Sequence, residues 1–259
     1  MNGSVHMITF FTEASQMLVP HSEAKHGPLP PLLVGLTLVT GLIDAYSYLV
    51  LGHVFVANMT GNVVFLAFAL AGALGFSILA SLVAVGAFVI GSFGGGLLGS
   101  RLGQHRGHLL SVASALQALL LSAAVVLAAL SGNPVSPGGS FGLIITLGIA
   151  MGLQNATARK LAVPDLTTTV LTLTIVGIAA DSRLVGGSGS RAGRRLIAVA
   201  AMFAGALVGS LLIFHVAIVA PLVLAIIVMA LIAATTRLLS RTDPDWVHVS
   251  SQGRVEDYL

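Results

Sequence analysis

Cysteine is absent from this chain of 259 residues, and charge nearly so: Asp, Glu, Lys and Arg together make up 8%. Without cysteine there is no disulfide framework, no thiolate nucleophile and no cysteine-based metal site. An ordinary soluble domain carries roughly 25% charged residues. At 8% the chain cannot clothe a water-facing surface, which excludes a soluble globular enzyme. The few charges are also clustered. Between Lys25 and Arg101 the only charged residue is Asp44, and none occurs over 107–158 or 196–236. One bilayer crossing takes about 20 apolar helical residues, and these runs are multiples of that length. With 56% hydrophobic residues, the chain reads as an all-α polytopic membrane protein.

The net charge of +3 comes from Arg and Lys in short loops, which carries topology information and leaves no nucleic-acid footprint. The first Lys is Lys25, so the positive n-region of a secretory signal is missing. Residues 1–30 read as a flexible tail ending in Pro28, Pro30 and Pro31, residues 31–236 as the membrane domain, and residues 237–259 as a polar cytoplasmic tail containing Asp243, Asp245 and Trp246.

Eight apolar segments can be marked, at about 32–51, 54–72, 76–99, 109–130, 141–160, 165–181, 195–214 and 216–235. Eight crossings would leave Arg101, Arg106, Arg159 and Lys160 outside, against the positive-inside rule. If 54–72 and 165–181 enter and leave by one side, six crossings remain. Every basic cluster, including Arg183, Arg191, Arg194, Arg195, Arg237 and Arg241, then faces the cytoplasm, as do both termini. The local chemistry agrees. Segment 54–72 opens on Asn58, Thr60, Gly61 and Asn62, and 165–181 on Asp165, Thr167, Thr168, Thr169, Thr172 and Thr174 behind Pro164. Irregular backbone at membrane depth needs protein or water to satisfy its N–H and C=O groups. Two ordinary spanning helices with polar bundle-facing residues are the alternative.

The two halves, about 32–130 and 141–235, share a pattern at an offset of about 111 residues. Gly41, Leu42, Ile43, Asp44 and Ala45 align with Gly152, Leu153, Gln154, Asn155 and Ala156. The small-residue spacing recurs on the following helix, with Gly91, Gly95 and Gly99 in one half and Gly205 and Gly209 in the other. Three crossings per half inverts the second half, an architecture of transporters and channels with a solute site at the interface of the halves.

The run from Thr40 to Tyr48 through Asp44, with Phe55, Asn58, Met59, Thr60, Gly61 and Asn62, resembles the first signature of the YoaK-like family of uncharacterised bacterial membrane proteins. The stretch Gly152 to Ala156 and the threonines over 167–174 resemble its second signature, with Leu173 departing from the expected Thr-Gly-Thr. The resemblance spans about residues 30 to 235. It implies an inner-membrane location and about six crossings, and supplies no substrate.

Asp44 is the sharpest single signal. An ionised carboxylate deep in a crossing costs about 2.5–3.5 kcal/mol on insertion scales, and Lys and Arg occur only at the ends of apolar segments, none at its depth to neutralise it. It either relays a proton or cation beside a polar cavity, or serves as an acceptor that locks the broken segment through Asn58 or Asn62. Asn58, Thr60, Asn62, Gln154, Asn155 and Thr172 are the neutral candidates for a small-solute or ion site, with interhelical hydrogen bonding as the alternative. Tyr46 and Tyr48 cannot share a helix face, so one lines the cavity while the other packs. Gly94, Gly96 and Gly99 satisfy GxGxxG without a preceding strand and read as a close-packing face. The lone His53 and His215 read as interface residues, and no HExxH, GxSxG or P-loop occurs. These features point to a small-solute transporter or channel, with a non-transporting structural or partner-binding membrane protein as the alternative and an intramembrane enzyme behind both. No metal or cofactor is expected. The partners expected are the lipid bilayer, a small solute or a proton or cation, and a second copy through the Gly-rich faces.

Overall fold

Uncharged apolar stretches leave the backbone one way to satisfy its own polar groups in hydrocarbon, and the chain takes it by coiling into helices. The computed structural model describes residues 26–164, 171–180, 192–242 and 244–248. Its helices are α1 (Leu29–Val50), α2 (Met59–Leu70), α3 (Ile78–Leu102), α4 (Arg106–Leu130), α5 (Pro137–Leu161), α6 (Leu171–Ala180), α7 (Ala192–His215) and α8 (Ala220–Leu239). Six of them, all but α2 and α6, are long and apolar enough to cross a membrane. At 1.5 Å per residue the 20 residues of α8 cover about 30 Å, whereas the 12 of α2 and the 10 of α6 cover about 18 and 15 Å. Over its described residues neither short helix reaches across the hydrocarbon core. The six-crossing reading of the sequence therefore stands over the eight-crossing one.

Helix ends follow local chemistry. Pro30 and Pro31 sit in the first turn of α1, where a missing N–H costs nothing, so the helix starts three residues before the expected boundary. Ser77 accepts from Ala80 N–H at 3.2 Å at the start of α3, and Ser136 does the same for α5 from Gly139 N–H at 3.3 Å. After α1 the chain reverses through Gly52 and His53, both at positive φ, a conformation glycine adopts without steric cost.

The helices pair in a pattern with an internal correspondence. Helix α3 packs along α5 and α1 along α7; α4 rests on α5 and α1 on α8; α2 lies on α3 and α6 on α7; α3 touches α4 and α7 touches α8. Replacing α1, α2, α3 and α4 by α5, α6, α7 and α8 turns each pair into another of the set. The α1–α5 and α4–α8 contacts map onto themselves. Helices α1 and α5, first in their halves, are the most deeply buried of the spans.

Glycine sets the closest approaches. A methyl group on Gly91 would stand 2.1 Å from the Ile149 carbonyl oxygen, and one on Gly205 2.1 Å from that of Leu38. The reciprocal surfaces are Gly152 against Phe88 and Gly41 against Met202. Gly95 and Gly209 meet Leu153 and Leu42 in the same way. Gly94 and Gly96, in contrast, face open space. Of the GxGxxG set only Gly99, near Lys160, belongs to the packed stripe. The expectation of a single close-packing face is corrected for the other two, because a helix repeats near 3.6 residues and positions 91, 95 and 99 hold one side.

The bundle has a mainly apolar core with polar side chains set into it, and its outer surface is apolar. Thr37, Thr40, Asp44, Ser47, Asn62, Gln117, Gln154 and Thr157 are buried, while Phe93, Leu119, Phe203 and Leu231 are exposed. The basic residues gather at one end. Arg106 donates to the Leu161 carbonyl at 2.5 Å, countering the negative end of α5, and Arg194 donates to the Pro164 carbonyl at 3.3 Å. The described residues after α8, up to His248, pack back on the bundle: Trp246 and Val247 are buried, Trp246 lies against Gly27, and His248 bridges to His105.

Alanine substitution along α3 tests this packing. Gly91→Ala and Gly95→Ala should each destabilise the purified protein by about 1–3 kcal/mol through overpacking. Gly94→Ala and Gly96→Ala should be neutral or stabilising by up to about 1 kcal/mol through helix propensity. Thermal unfolding in detergent distinguishes the two pairs, and equal effects at all four positions would contradict the packed stripe.

Candidate functional site

Between Val50 and Met59 the chain has no helical hydrogen-bond ladder, yet Val54, Val56 and Ala57 are buried. Buried N–H groups there need partners, and two side chains provide them. The Asp44 Oδ1 accepts from the backbone N–H of Val56 at 3.2 Å and of Ala57 at 3.0 Å. Its Oδ2 accepts from the side-chain amide of Asn58. Asn62, one turn into α2, takes Phe55 at both ends: its Oδ1 accepts from the Phe55 N–H at 2.9 Å and its Nδ2 donates to the Phe55 carbonyl at 2.5 Å. Four polar groups of the connecting backbone are thus held by two side chains.

Asp44 lies six residues before the end of α1, about 9 Å along the helix axis. Its bonds to Val56 and Ala57 return the connection to that depth, and α2 starts there. Asp44 is thus two-thirds of the way along α1, nearer one end than the expected mid-depth. An aromatic cluster seals the re-entry. Tyr48 stacks on Phe55 at 5.1 Å, Phe55 on Phe65 at 5.7 Å, and Phe65 packs against Phe76 at 5.1 Å. Gly61 leaves room for the Phe55 ring, since a methyl group there would stand 2.6 Å from it. His53 meets Tyr48 edge-on at 5.0 Å and contacts the Gly75 carbonyl at 3.2 Å.

A second polar cluster adjoins the first along α1. Thr40, one turn before Asp44, accepts from Gln154 Nε2 at 2.8 Å and donates to the Leu36 carbonyl at 3.0 Å. The same Gln154 nitrogen donates to the Leu36 carbonyl at 3.2 Å, and Gln154 Oε1 accepts from Gln117 Nε2 at 2.7 Å. Helices α1, α4 and α5 are thereby joined through one buried amide pair. Two buried hydroxyls, Tyr46 Oη and Ser114 Oγ, have no hydrogen-bond partner among the described residues.

The seven residues singled out in the sequence therefore divide. Asp44, Asn58 and Asn62 come together around the re-entrant connection. Gln154 belongs to the amide cluster. Asn155 is half-buried on α5 and donates to the Met151 carbonyl at 2.9 Å. Thr60 and Thr172 are exposed on α2 and α6. Asp165, Thr167, Thr168 and Thr169 lie outside the described residues. Of the two tyrosines, Tyr46 is fully buried and Tyr48 packs in the aromatic cluster. Thr40 and Gln117 were not among the candidates. The legible signal for Gln117 was its isolation, as the one amide in α4. Among the described residues no three His, Asp or Glu side chains are grouped to hold a metal ion.

Six apolar spans, two short helices and polar side chains buried between them define a polytopic α-helical membrane protein. Residues 32–235 match the family described as "Protein of unknown function (DUF1275)", and the chain belongs to that family. The UPF0700 transmembrane protein YoaK of Bacillus subtilis (strain 168) is 36% identical over 158 residues, a stretch covering 58% of this chain and 65% of that protein. The aligned part is thus just under two-thirds of the relative's length. No solved structure matches.

Exchange of side chains at the clamp tests its chemistry. Asp44→Asn places two amides face to face and should lower stability by about 1–3 kcal/mol. Asn58→Asp brings two carboxylates together and should cost at least as much. The double variant Asp44→Asn/Asn58→Asp restores a donor–acceptor pair, so it should recover much of the loss in a thermal double-mutant cycle. Additive losses would show that the two side chains do not act on each other.

Proposed function

We propose that the chain is a transporter or channel for a small solute, built as an inverted repeat, in which Asp44 is the orienting group that holds the first re-entrant segment. The observation that carries this reading is the helix pairing, unchanged when the first four helices are exchanged for the last four. Each set has three spans, an odd number, so the second set is inserted with opposite orientation. Paired interrupted segments in inverted halves are the arrangement by which such proteins place a solute site between the halves. Both carboxylate oxygens of Asp44 already accept hydrogen bonds, which favours orientation over proton or cation relay. Transport also fits better than catalysis, because the buried polar groups among the described residues are amides, hydroxyls, the Asp44 carboxylate and the Arg106 guanidinium, with no nucleophile–base pair.

The same closed hydrogen bonding favours a second reading, a membrane protein with a structural or partner-binding role and no turnover. Uptake of small neutral and ionic solutes by purified protein in liposomes, with and without a proton gradient, separates the two. The transport reading expects uptake above protein-free liposomes, with Asp44→Asn affecting it in proportion to lost folded protein. No uptake of any solute class by folded protein would favour the second reading. Uptake by folded Asp44→Asn that has lost its response to the gradient would instead restore the relay.

The basic end of the bundle is the cytoplasmic one in this proposal, following the positive-inside rule, with both chain termini on that side of an inner membrane. Cysteines introduced at Arg101, Arg159 and Arg241 should resist an impermeant thiol reagent added to intact cells, whereas one at Gly132 should react. Labelling at Arg101 with protection at Gly132 would reverse the orientation. For association with a second copy, Gly86, Gly94 and Gly96 are the available α3 glycines, because Gly91, Gly95 and Gly99 are packed within the chain.

A further inference from the structure

The first turns of α4 and the last turn of α8 leave a cleft of about 420 Å³ between them at the basic end of the bundle. One wall is apolar, from Leu102 and Val112, and the rim carries Arg237, Arg241 and His108. No lining residue is acidic. The two serines that line it are committed elsewhere: Ser111 donates to the Ala233 carbonyl at 3.0 Å and Ser240 to that of Thr236 at 2.6 Å. The donors left to face the cleft are the two guanidinium groups and the imidazole of His108. That ring is held by stacking on His105 at 3.8 Å, with the rings within 11° of parallel. Among the described residues no carboxylate pairs with Arg237 or Arg241.

Depth identifies the kind of ligand. Arg237 lies in the last turn of an apolar span, so the cleft sits where hydrocarbon gives way to headgroups. Helices α4 and α8 present exposed apolar side chains just inside it, with Val112 and Leu116 on α4 and Leu231 and Ile227 on α8. A site that is cationic at its rim, apolar on its wall and flanked by lipid-facing side chains matches a molecule with a phosphate at one end and hydrocarbon at the other. The volume lies in the range of small-molecule sites, about 300–1,000 Å³. Guanidinium groups take phosphate oxygens in pairs, and basic pockets between spanning helices recognise acidic headgroups. The carbonyl end of α8 opposes an anion with a charge of only about half a unit, against a full positive charge on each arginine.

We propose that this cleft binds the phosphodiester headgroup of an anionic phospholipid, with Arg237 and Arg241 gripping the phosphate and Leu102 and Val112 packing its glycerol and upper acyl chain. The assignment does not depend on transport or on which face of the membrane is cytoplasmic. The test uses the full chain, purified and delipidated in detergent, with thermal unfolding followed as lipid is added. Phosphatidylglycerol should raise the transition by roughly 5 °C at a hundredfold excess over its dissociation constant, and phosphatidylcholine should not. Arg237→Gln/Arg241→Gln should lose at least half of that rise, while Arg101→Gln, at the same end but outside the cleft, should keep it. Val112→Trp fills the cleft without touching charge and should also lose the rise, which keeps the test open if the double variant folds poorly. A rise that survives both the double variant and Val112→Trp, or that Arg101→Gln removes equally, would overturn the proposal in favour of diffuse charge attraction. An equal rise with inorganic phosphate would overturn the lipid assignment and make free phosphate the ligand.

Discussion

Hydrocarbon offers no water to an unpaired N–H or C=O, and the connection from α1 to α2 re-enters the bundle without helical hydrogen bonds of its own. Asp44 and Asn62 resolve that conflict. The carboxylate takes two backbone N–H groups and an amide, and the Asn62 amide takes both polar groups of Phe55. A carboxylate is suited to this because it offers two oxygens that only accept. An amide at position 44 would turn one of them into a donor facing the donor of Asn58. The start of α2, the seating of Phe55 beside Gly61 and the aromatic seal formed by Tyr48, Phe65 and Phe76 all follow from where that connection is held.

Close helix contact is the second constraint, and it is met by deletion of side chains. In a bilayer the lipid tails are as apolar as leucine, so spanning helices gain little from burying apolar area against each other and depend on close backbone approach and buried polar contacts. The α3–α5 and α1–α7 interfaces are built the same way, glycine against backbone on both sides, at Gly91 and Gly152 in one and Gly205 and Gly41 in the other. The single amide pair of Gln117 and Gln154, anchored on Thr40, then ties α4, α5 and α1 at one height. Each such contact is worth only about 0.6 kcal/mol, so its value lies in fixing register, with close packing supplying most of the cohesion.

Both ends of the bundle are finished by chemistry that differs from its middle. At one end His53 reaches Gly75, and the turn through Gly52 and His53 directs the chain back inward. At the other, Arg106 holds the terminal carbonyl of α5 and Trp246 covers Gly27, so the first and last described residues meet near the start of α4. The arginines do more than mark orientation: Arg106 is buried as a helix cap, while Arg237 and Arg241 remain on the rim of an open cleft.

Much of this was determined by composition and order along the chain. Long uncharged runs dictate spanning helices because nothing else pairs the backbone in hydrocarbon. The polar openings of 54–72 and 165–181, with the distribution of arginine, dictate that two segments do not cross. The glycine spacing at 91, 95 and 99 and at 205 and 209 marks contact faces, since a helix brings every fourth position to one side. The convergence of Asp44, Asn58 and Asn62 was also legible, because they lie within about twenty residues. What tertiary structure alone decided is which of the isolated polar residues meet across distance. Gln154 looked like a companion of Asn155 and instead bonds to Thr40 and Gln117, 114 and 37 residues away. Thr60 and Thr172 share the composition of site residues yet face outward. Trp246, in a stretch that reads as a polar tail, is buried against Gly27. Local sequence specifies the helices and their contact faces, but a hydrogen bond between helices depends on their relative rotation and height, and those are set only when all the close contacts are made together.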